Sequence, residues 1–521
     1  MDRRKFIRNI ALASASAPFM INRLQAQALP SGLFNIPEQF EDRILVIISL
    51  NGGNDGLNTI IPIDQYDNLV IQRPHVLIPE NEIITGTSTI GFHPAMEGIS
   101  NLFADGKVSI VQSVGYPEQN RSHFRSMDIW TSGTKEVTES RGWLGRFFEQ
   151  DHPLYPEGYP NSGFSDPFAI SLGGSLSTTC QGNQGNFSTL VNDPSKDYNL
   201  PEEEVINDGT LYGCNIDFVS TLIEQTNLYG QRINVAYDAG NSLSTKYYIG
   251  ENPQNDFKSK LAEQMKYVAQ MIAGGMETKV YILNLNGFDT HGEQVEEDDT
   301  TIGEHADLLR ELSDAVEAFQ DDLEIMSLNR RVVGMTFSEF GRQIASNGSF
   351  GTDHGDAAPL LLFGDCISTP VVGVNPLIPD QIQSQRAVDL QFDFRDVYAS
   401  ILKDWFQVPE NRISQIFPDH NITYLSLFEG CYNGLTDEDA PIILWPNPSS
   451  SVSYVDFYSP GGNTQVNLVD TRGRLIRNYL DKEIWEGRHK LELNLENIST
   501  GYYLVHIVND TQTQSVSLSI R

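Results

Sequence analysis

Residues Arg331–Gly355 read RVVGMTFSEFGRQIASNGSFGTDHG. The apolar run as far as Phe337 has the length and composition of a buried strand. Polar residues then crowd in: Ser338, Glu339, Arg342, Asp353 and His354. In an open α/β sheet the ligand site lies beyond the carboxyl ends of the strands. A strand that ends in a carboxylate, an arginine and a DHG tripeptide is therefore expected to form one wall of a site.

Three other runs end in the same manner. Arg43–Leu50, RILVIISL, fits a strand buried on both faces and runs into NGGNDGLNT. Its glycines permit a tight turn, and Asn54 and Asp55 offer oxygen ligands. The same residues are also common turn formers and helix caps, so both readings stand. Lys107–Val114, KVSIVQSV, is followed by Arg121, Ser122, His123 and Arg125. Ser122 either serves as a nucleophile beside an arginine clamp or only caps the helix towards Trp130. There is no GxSxG elbow. Thr278–Leu285, TKVYILNL, ends in NGFDTHGEQ. Asp289 and His291 there suit Zn, Mn or Fe, with Mg or Ca favouring the oxygens. An exposed loop histidine beside a capping aspartate is the plainer alternative.

Between these runs the apolar spacing becomes helical. Leu261, Met265, Val268, Met271 and Ile272 form one stripe. A second, in Glu304–Met326, comprises Leu308, Leu309, Leu312, Ala315, Val316, Phe319 and Leu323, and its acids are expected to form a solvated face. Strands alternating with helices over Arg43–Phe406 predict a doubly wound, mainly parallel α/β sheet. Residues 151–215, rich in Gly, Ser, Asn and Pro, read as a long insertion, and whether it covers the site is open. From residue 440 onward, alternating runs with Gly and Asp turns predict a small C-terminal all-β sandwich.

Of 521 residues, 35 are Lys or Arg and 69 are Asp or Glu, a formal charge of −34. Such a surface repels phosphate backbones, which argues against nucleic-acid binding. The first 28 residues have a basic start, a weakly apolar middle and an Ala26-Gln27-Ala28 end. No later run approaches the ~18 apolar residues of a membrane helix. Cys180, Cys214, Cys366 and Cys431 match no zinc-ribbon pattern. A Cys180–Cys214 disulfide and free buried thiols are both open.

The Arg3-Arg4-Lys5-Phe6 start resembles a twin-arginine signal, which implies passage through that translocase. The tail resembles the type A C-terminal sorting domain of type IX secretion. Trp445-Pro446-Asn447-Pro448, Asp470, Gly473-Arg474, Gly487 and Gly501-Tyr502-Tyr503-Leu504 carry that likeness. It implies handling by the type IX machinery and an extracellular or outer-surface location.

The body resembles the domain-of-unknown-function family 1501 through LNGGNDGLNT, GFHP, RSHF, GWLGR, GFDTHGEQ, MTFSEFGR and GTDHG. That family is similar to the alkaline phosphatase and sulfatase superfamily. The resemblance implies divalent metal held by Asp55, Asp289, His291, Glu339 and Asp353 or His354, with Ser122 near the nucleophile position. Arg121, Arg125 and Arg342 would clamp an anionic ester. Glu339-Phe340 stands where the superfamily usually has Asp-His.

The expected layout is a signal over 1–28, an α/β domain over 29–430 and a sorting domain over 440–521. The expected activity is metal-dependent hydrolysis of a phosphate or sulfate ester. The alternatives are a non-catalytic surface binding protein and, last, a serine esterase through Ser122 and His123.

Overall fold

The computed structural model describes residues 43–161, 163–196, 200, 210–247, 260–428, 442–445, 447–449, 451–470, 472–509 and 513–521. The twin-arginine segment lies outside them. Ile44–Asn51 forms the centre of the main sheet, flanked by parallel strands Val280–Asn286 and Val332–Phe337. Its side chains alternate between two cores, as period-2 geometry requires. Ile44, Val46, Ile48 and Leu50 join helices Glu97–Ala104, Lys260–Ala273 and Glu304–Ile325. Leu45 and Ile47 face the opposite layer, with Trp130, Trp143, Phe394 and Trp405. Helices on both faces bury every residue from Ile44 to Leu50, which is why that run is apolar except for Ser49.

Ala358–Phe363 runs antiparallel to both Val332–Phe337 and Val108–Gly115. It passes close over Gly334, where a Cβ would lie 1.9 Å from the Phe363 ring, so the strand carries a glycine there. Two antiparallel steps restore direction, so Val108–Gly115 points the same way as Ile44–Asn51, Val280–Asn286 and Val332–Phe337. Four chain segments therefore leave the sheet at one edge. The observed class is the doubly wound, mainly parallel α/β sheet.

Within residues 151–215, Ala169–Leu172 and Ser188–Val191 extend the sheet beyond Val280–Asn286 in parallel. Two acids of the Glu304–Ile325 helix depart from a solvated face. Glu311 and Asp322 are buried and accept backbone N–H groups, Glu311 from Leu261 and Asp322 from Leu243 and Ser244. They satisfy donors that burial would otherwise strand. Cys180 is a free, buried thiol and Cys366 is disulfide-bonded, so no Cys180–Cys214 bridge exists.

The C-terminal region is antiparallel and all β. Val452–Asp470 pairs with Leu475–Asn494 along its length and with Gly501–Asn509 towards its end. Leu444, Val455, Phe457, Val466, Leu468, Val505 and Leu518 make its separate core. No described helix is long and apolar enough to cross a membrane.

Candidate metal centre

The strand ends bring three imidazoles around one carboxylate. Asp289 follows Val280–Asn286, His291 sits two residues on, His123 opens the helix His123–Ser132, and His354 ends the strand Thr352–His354. His354 Nε2 is 3.1 Å and His291 Nε2 3.2 Å from Asp289 Oδ1, and His123 Nε2 is 3.4 Å from Oδ2. His291 Nε2 and His354 Nε2 are 2.8 Å apart. Ligand atoms of His123, Asp289 and His354 all lie within 4.8 Å of one another.

The far side of each ring faces an acceptor. His354 Nδ1 is 2.9 Å from the Arg121 carbonyl, His123 Nδ1 2.8 Å from Glu339 Oε1, and His291 Nδ1 3.2 Å from Asp353 Oδ1. The Arg121 carbonyl and the ionised Asp289 both only accept, so His354 can donate from either ring nitrogen. Burial, foremost, lowers the His354 pKa, so at neutral pH that ring keeps one proton. In His123, Nδ1 faces the nearer carboxylate, Glu339, and Nε2 the farther one, Asp289. His123 Nε2 is buried and has no hydrogen-bond partner.

Asp289 is ionised. Burial raises its pKa, but the Arg342 guanidinium and the neighbouring imidazoles outweigh it and hold the group at about 2. Three imidazole Nε2 atoms thus converge on one ionised carboxylate. Zn–N bonds of about 2.0–2.1 Å in a tetrahedron place ligand atoms roughly 3.3 Å apart. The donor types and spacings fit a divalent cation. Each ring is also oriented from behind, as metal-ligating histidines usually are.

Several other expected site residues serve different ends. Asp55 is buried in an ion pair with Arg73, with Gln294 Nε2 at 2.6 Å, and does not join the cluster. Asn54 accepts from His305 and Thr59 in the same buried network. Arg342 is fully buried. It donates to the carbonyls of Gly52, Gly53, Phe288 and Thr352 and to Asp289 Oδ1, at 2.5–2.9 Å. Its donors tie three loops together, which corrects its assignment as a substrate clamp. Arg121 forms a fork on Asp356 at 2.8 and 3.0 Å, and Arg125 donates to the Lys135 carbonyl. Ser122 stands exposed at the N-cap of its helix, and among the described residues its hydroxyl has no imidazole partner. Asp353 touches the cluster through His291, and Glu339 through His123.

His123 is the ligand-side residue that reading by motif underrates. The RSHF stretch drew attention to the serine, whereas the histidine faces Asp289. The available signal is position, since His123 follows a strand end as Asp289 and His291 do.

Fold and site together define an α/β protein with a histidine–carboxylate cluster at the strand ends. Residues 235–417 match the family described as "Protein of unknown function (DUF1501)", and residues 443–521 match "Secretion system C-terminal sorting domain". The second match marks the chain as a secreted protein carrying a type IX sorting domain.

Among solved structures the chain is similar to a protein in the alkaline phosphatase superfamily from Vibrio parahaemolyticus. Identity is 9%, covering 88% of this chain and 89% of that one, with a TM-score of 0.33. It is also similar to the PsFucS1 sulfatase from Pseudoalteromonas sp., at 9% identity, 87% and 84% coverage and a TM-score of 0.32. A third is the alkaline phosphatase from the Antarctic bacterium TAB5, at 9%, 73%, 99% and 0.26. No curated protein matches the chain.

Proposed function

We propose that the protein is an exported metal-dependent hydrolase of anionic esters, of the phosphate or sulfate kind. The observation that supports this most is the convergence of the His123, His291 and His354 Nε2 atoms on ionised Asp289. Those four residues would hold the cation. A divalent ion there supplies Lewis acidity, polarising an ester oxygen and acidifying water. Asp289 contributes the ligand charge, and Arg342 fixes its orientation through the 2.9 Å contact. The Asp289, His291 and Asp353 side chains are each about half exposed, so the cluster opens to solvent and to a substrate.

A second reading keeps the same cation in a non-catalytic surface binding protein. It is favoured by the three arginines being engaged within the protein and by Ser122 lacking a base. One experiment separates the two. Chelator-stripped protein is reloaded with Zn, Mn, Fe, Mg or Ca in turn and assayed on aryl phosphate and aryl sulfate monoesters. Turnover that appears with one metal and is absent from His354→Ala supports the hydrolase. Stoichiometric metal without turnover on either ester class overturns it in favour of the binding protein.

A further inference from the structure

We infer that Glu339 is a positioning residue for His123 and not itself a ligand. This rests on the metal reading above and refines it. The Glu339 side chain is 2% exposed. Its Oε1 is 2.8 Å from His123 Nδ1 and accepts the Gly52 amide at 2.9 Å, while Oε2 lies 3.2 Å from that same amide. The carboxylate therefore faces the Gly52 backbone and the rear of the imidazole. Ser338 Oγ, 3.5 Å from Oε2, spends its proton on the Leu50 carbonyl at 2.7 Å.

Next to a buried carboxylate, Nδ1 of His123 carries the proton. Nε2 is the atom that faces Asp289 Oδ2, at 3.4 Å. A carboxylate behind a ligating imidazole fixes its tautomer and raises its basicity. Phe340 packs against the same ring with centroids 4.9 Å apart and limits its rotation. The chain thus keeps a carboxylate at 339 where direct ligation would need it turned the opposite way.

The test uses the full exported chain, Glu339→Gln and Glu339→Asp, each stripped with chelator. Histidine-selective ¹⁵N spectra, with His123 assigned by His123→Gln, report the ring's tautomer without metal. Calorimetry with zinc chloride reports affinity, and the cobalt(II) absorption band reports ligand number. Wild type is expected to show the Nδ1–H tautomer. Glu339→Gln is expected to lose that preference and bind zinc about 10–100-fold more weakly, with an unchanged cobalt band. Glu339→Asp, which keeps the charge one methylene shorter, is expected to fall between.

An Nε2–H tautomer or an imidazolium for His123 in wild type at neutral pH overturns the inference. So does zinc affinity equal to wild type in both variants. A cobalt band showing one ligand fewer in Glu339→Gln overturns it too, because Glu339 would then be a ligand. If wild type binds no metal, the metal reading falls while the tautomer measurement still decides what Glu339 does.

Discussion

Replacing Asp55 by Asn tests whether this carboxylate is structural, as its packing argues, or a ligand. Asp55 and Arg73 are each 1% exposed and paired, and Gln294 donates to the same carboxylate oxygen. Burial raises the Asp55 pKa, but Arg73, His305, Gln294 and Arg342 together hold it below the ordinary value of 3.8. Removing one partner of a buried pair leaves an uncompensated charge and costs about 3–5 kcal/mol. Unfolding entropy near 2.1 cal/mol/K per residue makes that a fall of roughly 5 °C in Tm for a domain of this size. Arg73→Met in the same chain should recover part of the loss.

The pH dependence has a fixed sign. A depressed carboxylate contributes stability above its unfolded pKa and loses it as pH falls through the lower folded value. The gap between wild type and Asp55→Asn should therefore be full at neutral pH and shrink below pH 3.8. Calorimetric melting against pH, with zinc stoichiometry measured beside it, is the assay. A variant that melts like wild type but has lost its zinc would show Asp55 to be a ligand and refute the reasoning.

Gly52→Ala should reduce both stability and zinc affinity, because φ is +125° there and a Cβ would lie 2.3 Å from the Asp289 backbone nitrogen; melting and calorimetry read both. Arg342→Lys should weaken zinc binding at least tenfold, since an ammonium cannot reach four carbonyls and Asp289 at once. Deleting residues 440–521 should leave the body's melting transition in place while the chain accumulates inside the cell, as fractionation would show.

The strand ends were legible because buried parallel strands are apolar throughout and stop abruptly at polar loops. Asp289 and His291 could be chosen on that ground. Asp55 was misread because its partner Arg73 is 18 residues away, beyond any local pattern. Arg342 was misread because a guanidinium fork suits carbonyl oxygens as well as phosphate. The strands Ala169–Leu172 and Ser188–Val191 are four residues each, too short for alternation to register among Gly and Ser. The exchange of roles between Glu339 and His123 depends on sheet order, which brings residues 216 apart into contact.

The most direct test of the account is the metal content of the protein collected from the outside of its own cells, by mass spectrometry of the intact metal–protein complex. The account predicts one divalent transition metal per chain, lost in Asp289→Ala and in His354→Ala while both remain folded. Metal-free protein, or metal retained in both variants, would contradict it.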